Sequence, residues 1–509
     1  MIDGHSSHKD TRIILAIDVG TTNAKAQFFD EAAQPLGRAL RARMPVRPDG
    51  TADAELLAAE VEKLLDRTLA GAEDAEEILG EKAPEAVALT CAWHGLVGLD
   101  RDGNPLTALS TWFDGRAAAQ ALRLRARVSD LSALHHRTGA PIHPALPPAR
   151  LLRLREEERE VFDRVARWAS LGELLHIRWF GPEVPASPSM ASGSGLYDQS
   201  RRGWDQELCR LLELHPETLP RVRDGLCLGT ELRLRDSFAN RWPVLRNARW
   251  TPAAGDGGSA VVGSVACAGE AALTVGTSAA ARVVIPFLQR AGKPLPRALF
   301  AYLLEEDRAV VGVARSNAGN LIGWGRRVLF LEALRDPQAA RQQGPLSEGI
   351  DLVAEVFGES LPGDHGLVVD PSLAGERSPY WPVKARGAIS GLRTDTTAEQ
   401  LLRALLEAAV LGLRRSIEEL ERWSGPLEMV LSGGATRSPG WLRLLADGLD
   451  RPLRVSAVPE ASLRGAAVLG LRALGLPEPR LQHEGELVRP DPARASAYAK
   501  LYADWESED

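Results

Sequence analysis

The sequence predicts an α/β fold of two domains, each built on a parallel or mixed sheet covered by helices. The chain has 509 residues, more than a single hydrophobic core usually serves. Short apolar strands alternate with amphipathic helices along the chain. A strand–turn–strand pattern near the start returns near the middle, which indicates a duplicated unit.

The N-terminal half opens with a predicted hairpin. Ile13 to Ile17 is an apolar, β-rich run that ends in D-V-G-T-T-N, and a second run follows through Phe28 and Phe29. Glu55 to Leu69 carries leucine and valine at helical spacing and predicts an amphipathic helix. Val87 to Thr90 predicts another buried strand. The order of strand, strand, helix and strand indicates a mixed sheet.

The C-terminal half repeats this opening. Ala272 to Arg282 reads A-L-T-V-G-T-S-A-A-A-R, and Ala16 to Gln27 reads A-I-D-V-G-T-T-N-A-K-A-Q. Ser438 is a good helix N-cap, and Pro439 suits the first helical position. Further helices and strands are predicted in alternation at Ala398–Trp423, Met429–Leu431, Leu453–Ser456 and Ala461–Leu474.

Proline and glycine cluster from Trp250 to Gly258 and mark the predicted domain boundary. We expect residues 1–12 to form a disordered tail and residues 13–250 the N-terminal domain. Residues 251–478 are expected to form the C-terminal domain, and residues 479–509 a peripheral segment.

Composition excludes several functional classes. The net charge of −7 lacks the basic stripe of a nucleic-acid-binding protein, and no apolar run approaches the ~20 residues that span a bilayer. The four cysteines are scattered, which argues against a zinc site or a disulfide framework and favours a reducing cytoplasm. We therefore expect a cytoplasmic protein with a small-molecule substrate and no nucleic-acid or membrane partner. A homodimer stays open.

Two glycine–threonine hairpins are candidate phosphate sites. Gly20 in the first allows backbone N–H groups to approach an anion, and Thr21 and Thr22 add hydroxyl donors. Asp18, at the end of the preceding strand, can hold a hydrated Mg²⁺ ion. The second hairpin, with Gly276, has a threonine where the first has Asp18. Plain structural hairpins are the alternative reading.

Other polar residues lie at predicted strand ends. Asp256, in G-D-G-G, is a candidate base for an alcohol proton, although an Asp–Gly surface turn is the alternative. The S-G-G-A turn leaves room for a flat nucleoside, or is an ordinary strand-to-helix turn. Polar and aromatic residues that suit a sugar follow two neighbouring strands at His94, Trp112, Asp114 and Arg116. A core histidine and a structural ion pair are the alternatives there.

Taken together, these segments resemble the FGGY carbohydrate kinases, whose two actin-like (ribonuclease-H-like) domains enclose a cleft. The ordered motifs are D-V-G-T-T-N-A-K, W-H-G, T-W-F-D-G-R, G-D-G-G, V-G-T-S, G-E-R-S-P-Y-W and S-G-G-A-T-R-S-P-G-W. The resemblance implies ATP and Mg²⁺ in the cleft, a sugar-binding N-terminal domain and a nucleotide-binding C-terminal domain. It implies Asp256 as the general base and Asp18 as the metal-linked acid.

The resemblance also assigns the binding residues. Those facing the nucleotide are implied to be Gly20, Thr21, Thr22, Lys25, Gly276, Thr277, Gly319, Gly434 and Ser438. Those lining the sugar pocket are implied to be His94, Trp112, Asp114 and Arg116, beside Asp256. Glu376 and Arg377 are expected to be structural supports near the cleft.

Within the family, R-T-G-A-P-I-H-P and S-M-A-S-G-S-G-L look most like gluconate kinases. Gly172 replaces an expected lysine, and Trp93-His94-Gly95 is nearer to xylulose kinases. D-Gluconate is therefore the expected substrate, and a xylulose- or ribulose-type sugar is the alternative. A carboxylate substrate needs a cation, for which Arg137, Arg150 and His143 are candidates. An actin-like ATPase without a sugar substrate is the alternative from another class.

Overall fold

A computed structural model of the chain describes residues 12–70, 78–80, 82–229, 231–264, 269–329, 351–358, 360–479 and 485–507. Nearly all of the predicted tail, residues 1–11, lies outside these ranges. Within them, no helix is both long enough and apolar enough to cross a membrane. The described chain forms two mixed sheets with helices packed against them.

The strands before Asp256 are β1–β12, at Ile14–Val19, Asn23–Phe29, Pro35–Arg43, Thr51–Ala52, Ala86–Cys91, Val97–Leu99, Leu109–Ser110, Arg167–Ala169, Tyr197–Asp198, Gly203–Trp204, Arg249–Trp250 and Ala254–Gly255. The helices of this part are α1–α9, at Ala54–Ala70, Ala118–Arg127, Leu131–Thr138, Pro147–Glu157, Arg159–Arg164, Leu171–Phe180, Pro188–Gly193, Gln206–Leu212 and Asp236–Arg241. Short 3₁₀ helices lie at Pro216–Thr218 and Pro243–Leu245.

The first sheet has the strand order β11-β5-β1-β2-β3, with β12 also beside β5. Strands β1, β2 and β3 are antiparallel neighbours, whereas β5, β11 and β12 run parallel to β1. Every residue of β1 and of β5 is buried, which explains why both appear as continuous apolar runs in the sequence.

From Asp256 onward the strands are β13–β21, at Glu270–Val275, Ala279–Pro286, Phe300–Leu303, Arg308–Arg315, Val368–Asp370, Ala388–Ser390, Glu428–Ser432, Leu453–Val455 and Leu487–Val488. The helices are α10–α17, at Asp256–Ser264, Phe287–Ala291, Asn320–Val328, Leu352–Phe357, Ala398–Ser424, Pro439–Leu449, Ala461–Ala473 and Pro492–Ser507, with a 3₁₀ helix at Gly434–Arg437. Thr397 and Gln400 form a capping box at the start of α14, and Ser438 caps α15 as predicted.

The second sheet repeats the first. Its order is β15-β16-β14-β13-β19-β20-β21, in which β13, β14 and β16 are antiparallel neighbours and β19 and β20 run parallel to β13. The hairpin β13–β14 therefore corresponds to β1–β2, and β19 corresponds to β5. This confirms the duplication that the two V-G-T-(T/S) patterns predict.

Two helices join the halves. Helix α10 packs against α16, and α16 packs on β1 and β5 of the first sheet. A Cβ atom on Gly263 would lie 2.0 Å from the Ala461 carbonyl oxygen, and one on Gly465 would lie 1.7 Å from the Ser259 carbonyl oxygen. Glycine is needed at both positions because the two backbones are in contact.

The C-terminal segment is packed rather than loose. Helix α17 lies against α15, with the Tyr498 side chain fully buried. Arg494 donates a hydrogen bond to Asp447, and Tyr502 donates one to Glu418. The predicted peripheral segment thus adds a stabilising layer to the C-terminal half.

The helix crossing gives a first prediction. Alanine at Gly465 adds helix propensity but forces the backbone of α10 to move, so we expect Gly465→Ala to lower the free energy of unfolding by about 1–3 kcal/mol. Thermal and urea unfolding measure the change. Gly323→Ala in α12 is the matched control, because a Cβ atom there meets nothing within 4 Å. Equal stability of the two variants would contradict the tight crossing.

Candidate active site

The first hairpin turns between Val19 and Asn23, where the Gly20 N–H donates to the Asn23 carbonyl at 3.1 Å. Asp18 and Lys25 face each other in register on the two strands. The turn leaves Thr22 exposed and Thr21 half-buried. Amide and hydroxyl donors arranged around a turn suit a phosphate group.

Asp256 lies at the same edge of the sheet as Asp18. Strands β1 and β12 both run parallel to β5, so their carboxyl ends meet, and Asp256 follows β12 directly. The Gly257 N–H donates to Asp256 Oδ1 at 2.7 Å. The G-D-G-G segment, for which an Asp–Gly surface turn is the alternative reading, therefore forms the start of α10, and its Asp256 side chain faces the space between the two hairpins.

The two carboxylates are electrostatically coupled. Burial raises the pKa of Asp18 to about 7, with a contribution from the negative charges of Asp256 and Glu460 and with Lys25 opposing. Burial also raises the pKa of Asp256, and the positive charge of Arg282 opposes that rise. Asp18 is 5 % exposed, and its Oδ1 atom has no hydrogen-bond partner among the described residues. A proton or a cation would relieve this buried negative charge.

The second hairpin is enclosed by two glycines from other segments. The Gly319 N–H donates to the Gly276 carbonyl at 2.9 Å, and a Cβ atom on Gly319 would lie 2.6 Å from that oxygen. Gly433 has φ 93°, and its Cβ atom would lie 2.7 Å from the Val275 carbonyl oxygen. Exposed Thr277 completes the turn. Gly434 follows directly, and a Cβ atom there would meet only Arg437 Nη2 at 3.8 Å. The packing therefore requires glycine at Gly433, whereas the sequence analysis assigned the nucleotide contact to Gly434.

Ser438 performs a structural task. Its hydroxyl oxygen accepts from the Trp441 N–H at 3.0 Å as the N-cap of α15, and its O–H donates to Asp351 Oδ1 at 2.7 Å. Its predicted contact with a nucleotide stays a prediction.

Between the hairpins lies a partly open space of about 320 Å³, the interdomain cavity. Its walls come from both halves and combine carboxylates, cations, hydroxyls and aromatic rings. They include Asp18, Lys25, Trp93, His94, Trp112 and Asp256 from one side, and Thr274, Ser278, Arg282, Tyr302, Arg377 and Trp381 from the other. This combination suits a small polyhydroxylated molecule that lies against aromatic faces.

Two residues of the wall hold strained backbone conformations. His94 has φ 68° and Trp381 has φ 51°, in the left-handed region that bulky residues rarely adopt. Arginines hold both carbonyl groups: buried Arg150 donates to the His94 oxygen and half-buried Arg125 to the Trp381 oxygen, each at 2.7 Å. Strain of this kind clusters at functional sites.

His94 is a neutral hydrogen-bonding group. Because a carbonyl oxygen only accepts, His94 Nδ1–H donates to the Gly193 carbonyl at 2.5 Å, which leaves Nε2 as an acceptor. Burial lowers the pKa of His94 to about 3. His94 can therefore accept a hydrogen bond from a hydroxyl group without contributing charge.

Asp114 and Arg116 lie outside the interdomain cavity. They form a two-pronged ion pair, with Arg116 Nε 2.9 Å from Asp114 Oδ1 and Nη2 2.8 Å from Oδ2. Both line a larger space of about 1040 Å³, the outer cleft, which adjoins the cavity at Trp112 and Arg377. Their predicted contact with a sugar stays a prediction.

Most of the basic residues that the sequence offers as contacts for a phosphate or a carboxylate already contact other groups of the protein. Lys25 Nζ lies 2.7 Å from Glu460 and 3.9 Å from Asp18. Arg137 pairs with Asp205 and Glu207. Arg150 donates to the Pro144 carbonyl at 3.0 Å and to other oxygens around it, and burial lowers the pKa of His143 to about 3.

Lys25, Arg282 and Arg377 all line the cavity, and of these three Lys25 is paired with carboxylates whereas the two arginines are not, within the described part of the chain. Sequence reasoning missed Arg282 and interpreted Arg377 as a support, although both stand in motifs it used. An arginine in the apolar run A-A-A-R-V-V was the available signal, because a charge there must face a polar space. Glu376 does act as a support: its carboxylate pairs with Arg315 at 2.9 Å and accepts from the Ser316 N–H.

Models of a single family match both halves of the chain. The N-terminal domain of the FGGY family of carbohydrate kinases matches residues 13–263, and its C-terminal domain matches residues 271–474. The chain belongs to the FGGY family of carbohydrate kinases. As a member of that family it is a sugar kinase, a phosphotransferase with an alcohol group as acceptor, and such kinases use ATP. This decides against an actin-like ATPase without a sugar substrate.

Individual FGGY proteins resemble the chain over nearly its whole length. A gluconokinase of Bacillus subtilis is 27 % identical, with 91 % of this chain and 88 % of that protein aligned. A crystal structure of a gluconate kinase from Lactobacillus acidophilus superposes with a TM-score of 0.81 at 23 % identity, covering 98 % of both chains. A xylulose kinase of the same organism superposes with a TM-score of 0.81 at 24 % identity, covering 98 % of this chain and 97 % of that one. These matches confirm the predicted actin-like α/β fold.

The raised pKa of Asp18 gives a second prediction. A carboxyl group whose pKa is higher in the folded than in the unfolded chain destabilises the fold as it ionises, so the cost grows from about pH 4 and is complete above pH 7. In ligand-free protein with chelator, we expect Asp18→Asn to raise the melting temperature at pH 8.5 by several degrees more than at pH 5. Melting by differential scanning calorimetry at both pH values measures this. An equal change at the two values would contradict it.

Proposed function

We propose that the enzyme transfers the γ-phosphoryl group of ATP to a hydroxyl group of a sugar acid, with D-gluconate as the best candidate and Asp256 as the general base. The observation that carries the proposal is the position of Asp256, which faces the interdomain cavity between two phosphate-type hairpins. A hydroxyl group bound there has a carboxylate to accept its proton and a γ-phosphoryl group within reach.

The nucleotide is proposed to lie between the hairpins. Thr21, Thr22 and Lys25 would contact its phosphates from the first sheet, and Gly276 and Thr277 from the second. Lys25 would exchange part of its contact with Glu460 for phosphate oxygens. Gly319, Gly434 and Ser438 would lie beside the nucleoside, where Gly319 and Gly433 already bring the backbone close to the second hairpin.

Asp18 is the proposed Mg²⁺ residue. Mg²⁺ keeps several waters and typically takes only one or two protein carboxylates together with phosphate oxygens. The unpartnered, buried Oδ1 atom of Asp18 and its raised pKa fit such an ion. When bound with ATP, Mg²⁺ would neutralise charge on the phosphates, while Asp18 holds its hydration shell in place.

The acceptor is proposed to lie against Trp112 and Trp381, with His94 Nε2 accepting from one of its hydroxyl groups. A sugar acid is favoured over a neutral sugar because the similar proteins include gluconokinases and because the cavity wall carries Arg282 and Arg377. The W-H-G sequence at Trp93 favours a xylulose-type sugar as the second candidate. A coupled ADP-release screen with gluconate, xylulose, ribulose and glycerol distinguishes them.

The proposed base gives a third prediction. Without a carboxylate to accept the hydroxyl proton, Asp256→Asn should lower kcat by about 10²–10⁴-fold, while the Kd for ATP changes little. Acceptor-dependent ADP release measures kcat, and calorimetry measures ATP binding. Asp102→Asn, in an exposed surface turn, is the matched control and should keep full activity. An active Asp256→Asn enzyme would reject the assignment.

A further inference from the structure

Arg282 projects from β14 into the interdomain cavity, where neighbouring glycines make room for it. A Cβ atom on Gly257 would lie 2.8 Å from Arg282 Nε, and one on Gly312 would lie 2.9 Å from Arg282 Cγ. A larger residue at either position would push the guanidinium aside. The local backbone is thus shaped to hold a cation at this wall.

The Arg282 guanidinium has no counter-ion in direct contact. Among the described residues it makes no hydrogen bond and no ion pair within 4 Å, and its buried Nε atom lacks a partner. Asp256 is the nearest source of compensating charge, acting at longer range. An unpaired buried charge is costly, and a bound anion offsets that cost.

Arg377 adds a second cation to the same wall. Its guanidinium lies over the Trp112 ring, 5.0 Å from the centroid, and Nη2 donates to the Arg315 carbonyl at 2.8 Å. Its Nε atom also lacks a partner. Burial lowers the pKa of Arg377, and the nearby positive charge of Arg282 lowers it further. The Tyr302 hydroxyl group has no hydrogen-bond partner among the described residues; burial raises its pKa, and the charges of Arg377 and Arg282 oppose that rise.

We propose that Arg282 and Arg377, with the Tyr302 hydroxyl, bind the carboxylate of the acceptor and so make the enzyme select a sugar acid over the corresponding neutral polyol. Two guanidinium groups on the same cavity wall repel each other, and an anion that both contact relieves that repulsion. Lys25 and Arg137 are paired with carboxylates, Arg150 is surrounded by carbonyl oxygens, and His143 is neutral, so Arg282 and Arg377 are the cations among these with donors to spare. The inference rests on the proposed function, because it assigns a subsite within the same cavity.

The test compares D-gluconate with D-glucitol, which has the same carbon chain but a hydroxymethyl group in place of the carboxylate. For Arg282→Gln and Arg377→Gln, we expect the ratio of kcat/KM for gluconate to kcat/KM for glucitol to fall about 10- to 100-fold, because any effect of the lost charge on Asp256 is shared by both acceptors and cancels in the ratio. Arg282→Lys should restore part of the gluconate activity, because it keeps the charge. Arg101→Gln, at an exposed turn, is the control for a general loss of arginine.

Equilibrium binding separates the possible outcomes. Calorimetry without ATP should show tighter binding of gluconate than of glucitol by the wild-type enzyme, and loss of that difference in both glutamine variants. An equal loss with both acceptors together with a raised KM for ATP would mean that the pair holds the γ-phosphoryl group, and it would overturn the inference while the kinase function stands. Turnover of neutral sugars alone by the wild-type enzyme would overturn it as well.

Failure of the proposed function is distinguishable from failure of this inference. If the proposed function is wrong, the wild-type enzyme will release no ADP in response to any acceptor of the screen. Even then, the binding comparison decides the role of Arg282 and Arg377. Unchanged melting temperatures and unchanged ATP binding in the variants confirm that any effect is local.

Discussion

Where α10 and α16 cross, Gly263 and Gly465 bring two backbones into contact, and no side chain separates the helices. Asp256 is the first residue of α10, and Glu460 directly precedes α16. Asp18 belongs to β1, on which α16 packs. The crossing therefore sets the distances of the Asp256 and Glu460 carboxylates from Asp18. Because interiors are close-packed, a shift of either helix would be transmitted to the edge of the first sheet that carries Asp18.

This arrangement places opposite charges around one cavity: Asp18 lies 3.9 Å from Lys25, but neither Asp18 nor Asp256 pairs directly with Arg282 or Arg377. Asp18 and Asp256 lie on one side, and Arg282 and Arg377 on another. Burial raises the pKa values of the two acids and lowers those of the two arginines, so the surroundings disfavour the charged form of each of these four residues. In the ion pair of Arg116 with Asp114, each side chain is the counter-ion of the other. Among the described residues Asp256, Arg282 and Arg377 have no such direct counter-ion, so a bound ligand can compensate their charges, which is the electrostatic pattern of a binding site.

Much of the fold was predictable because its signals are local. The V-G-T-(T/S) turns, the helix from Ala398 and the Ser438 N-cap depend on neighbours within a few residues, and the structure has them as predicted. The cavity cations were not predictable in this way. Arg282 faces the cavity only because β14 pairs in one register, and Lys25 meets Glu460 across 435 residues of sequence. Such contacts arise from tertiary packing, which composition and periodicity do not encode.

The segment that carries Arg377 and Trp381 also bridges the two halves of the molecule. Arg125, on α2 of the N-terminal half, donates to the Trp381 carbonyl, and the His143 and Trp381 rings meet edge to face at 5.4 Å. An opening of the cleft wide enough to admit an acceptor along this side must break those contacts. The same motion would separate Arg377 from Trp112, over whose ring it lies. The cation that we propose for the acceptor carboxylate and the contacts that join the halves are therefore parts of one element, so acceptor binding at Arg377 would be linked to closure of the cleft by covalent structure.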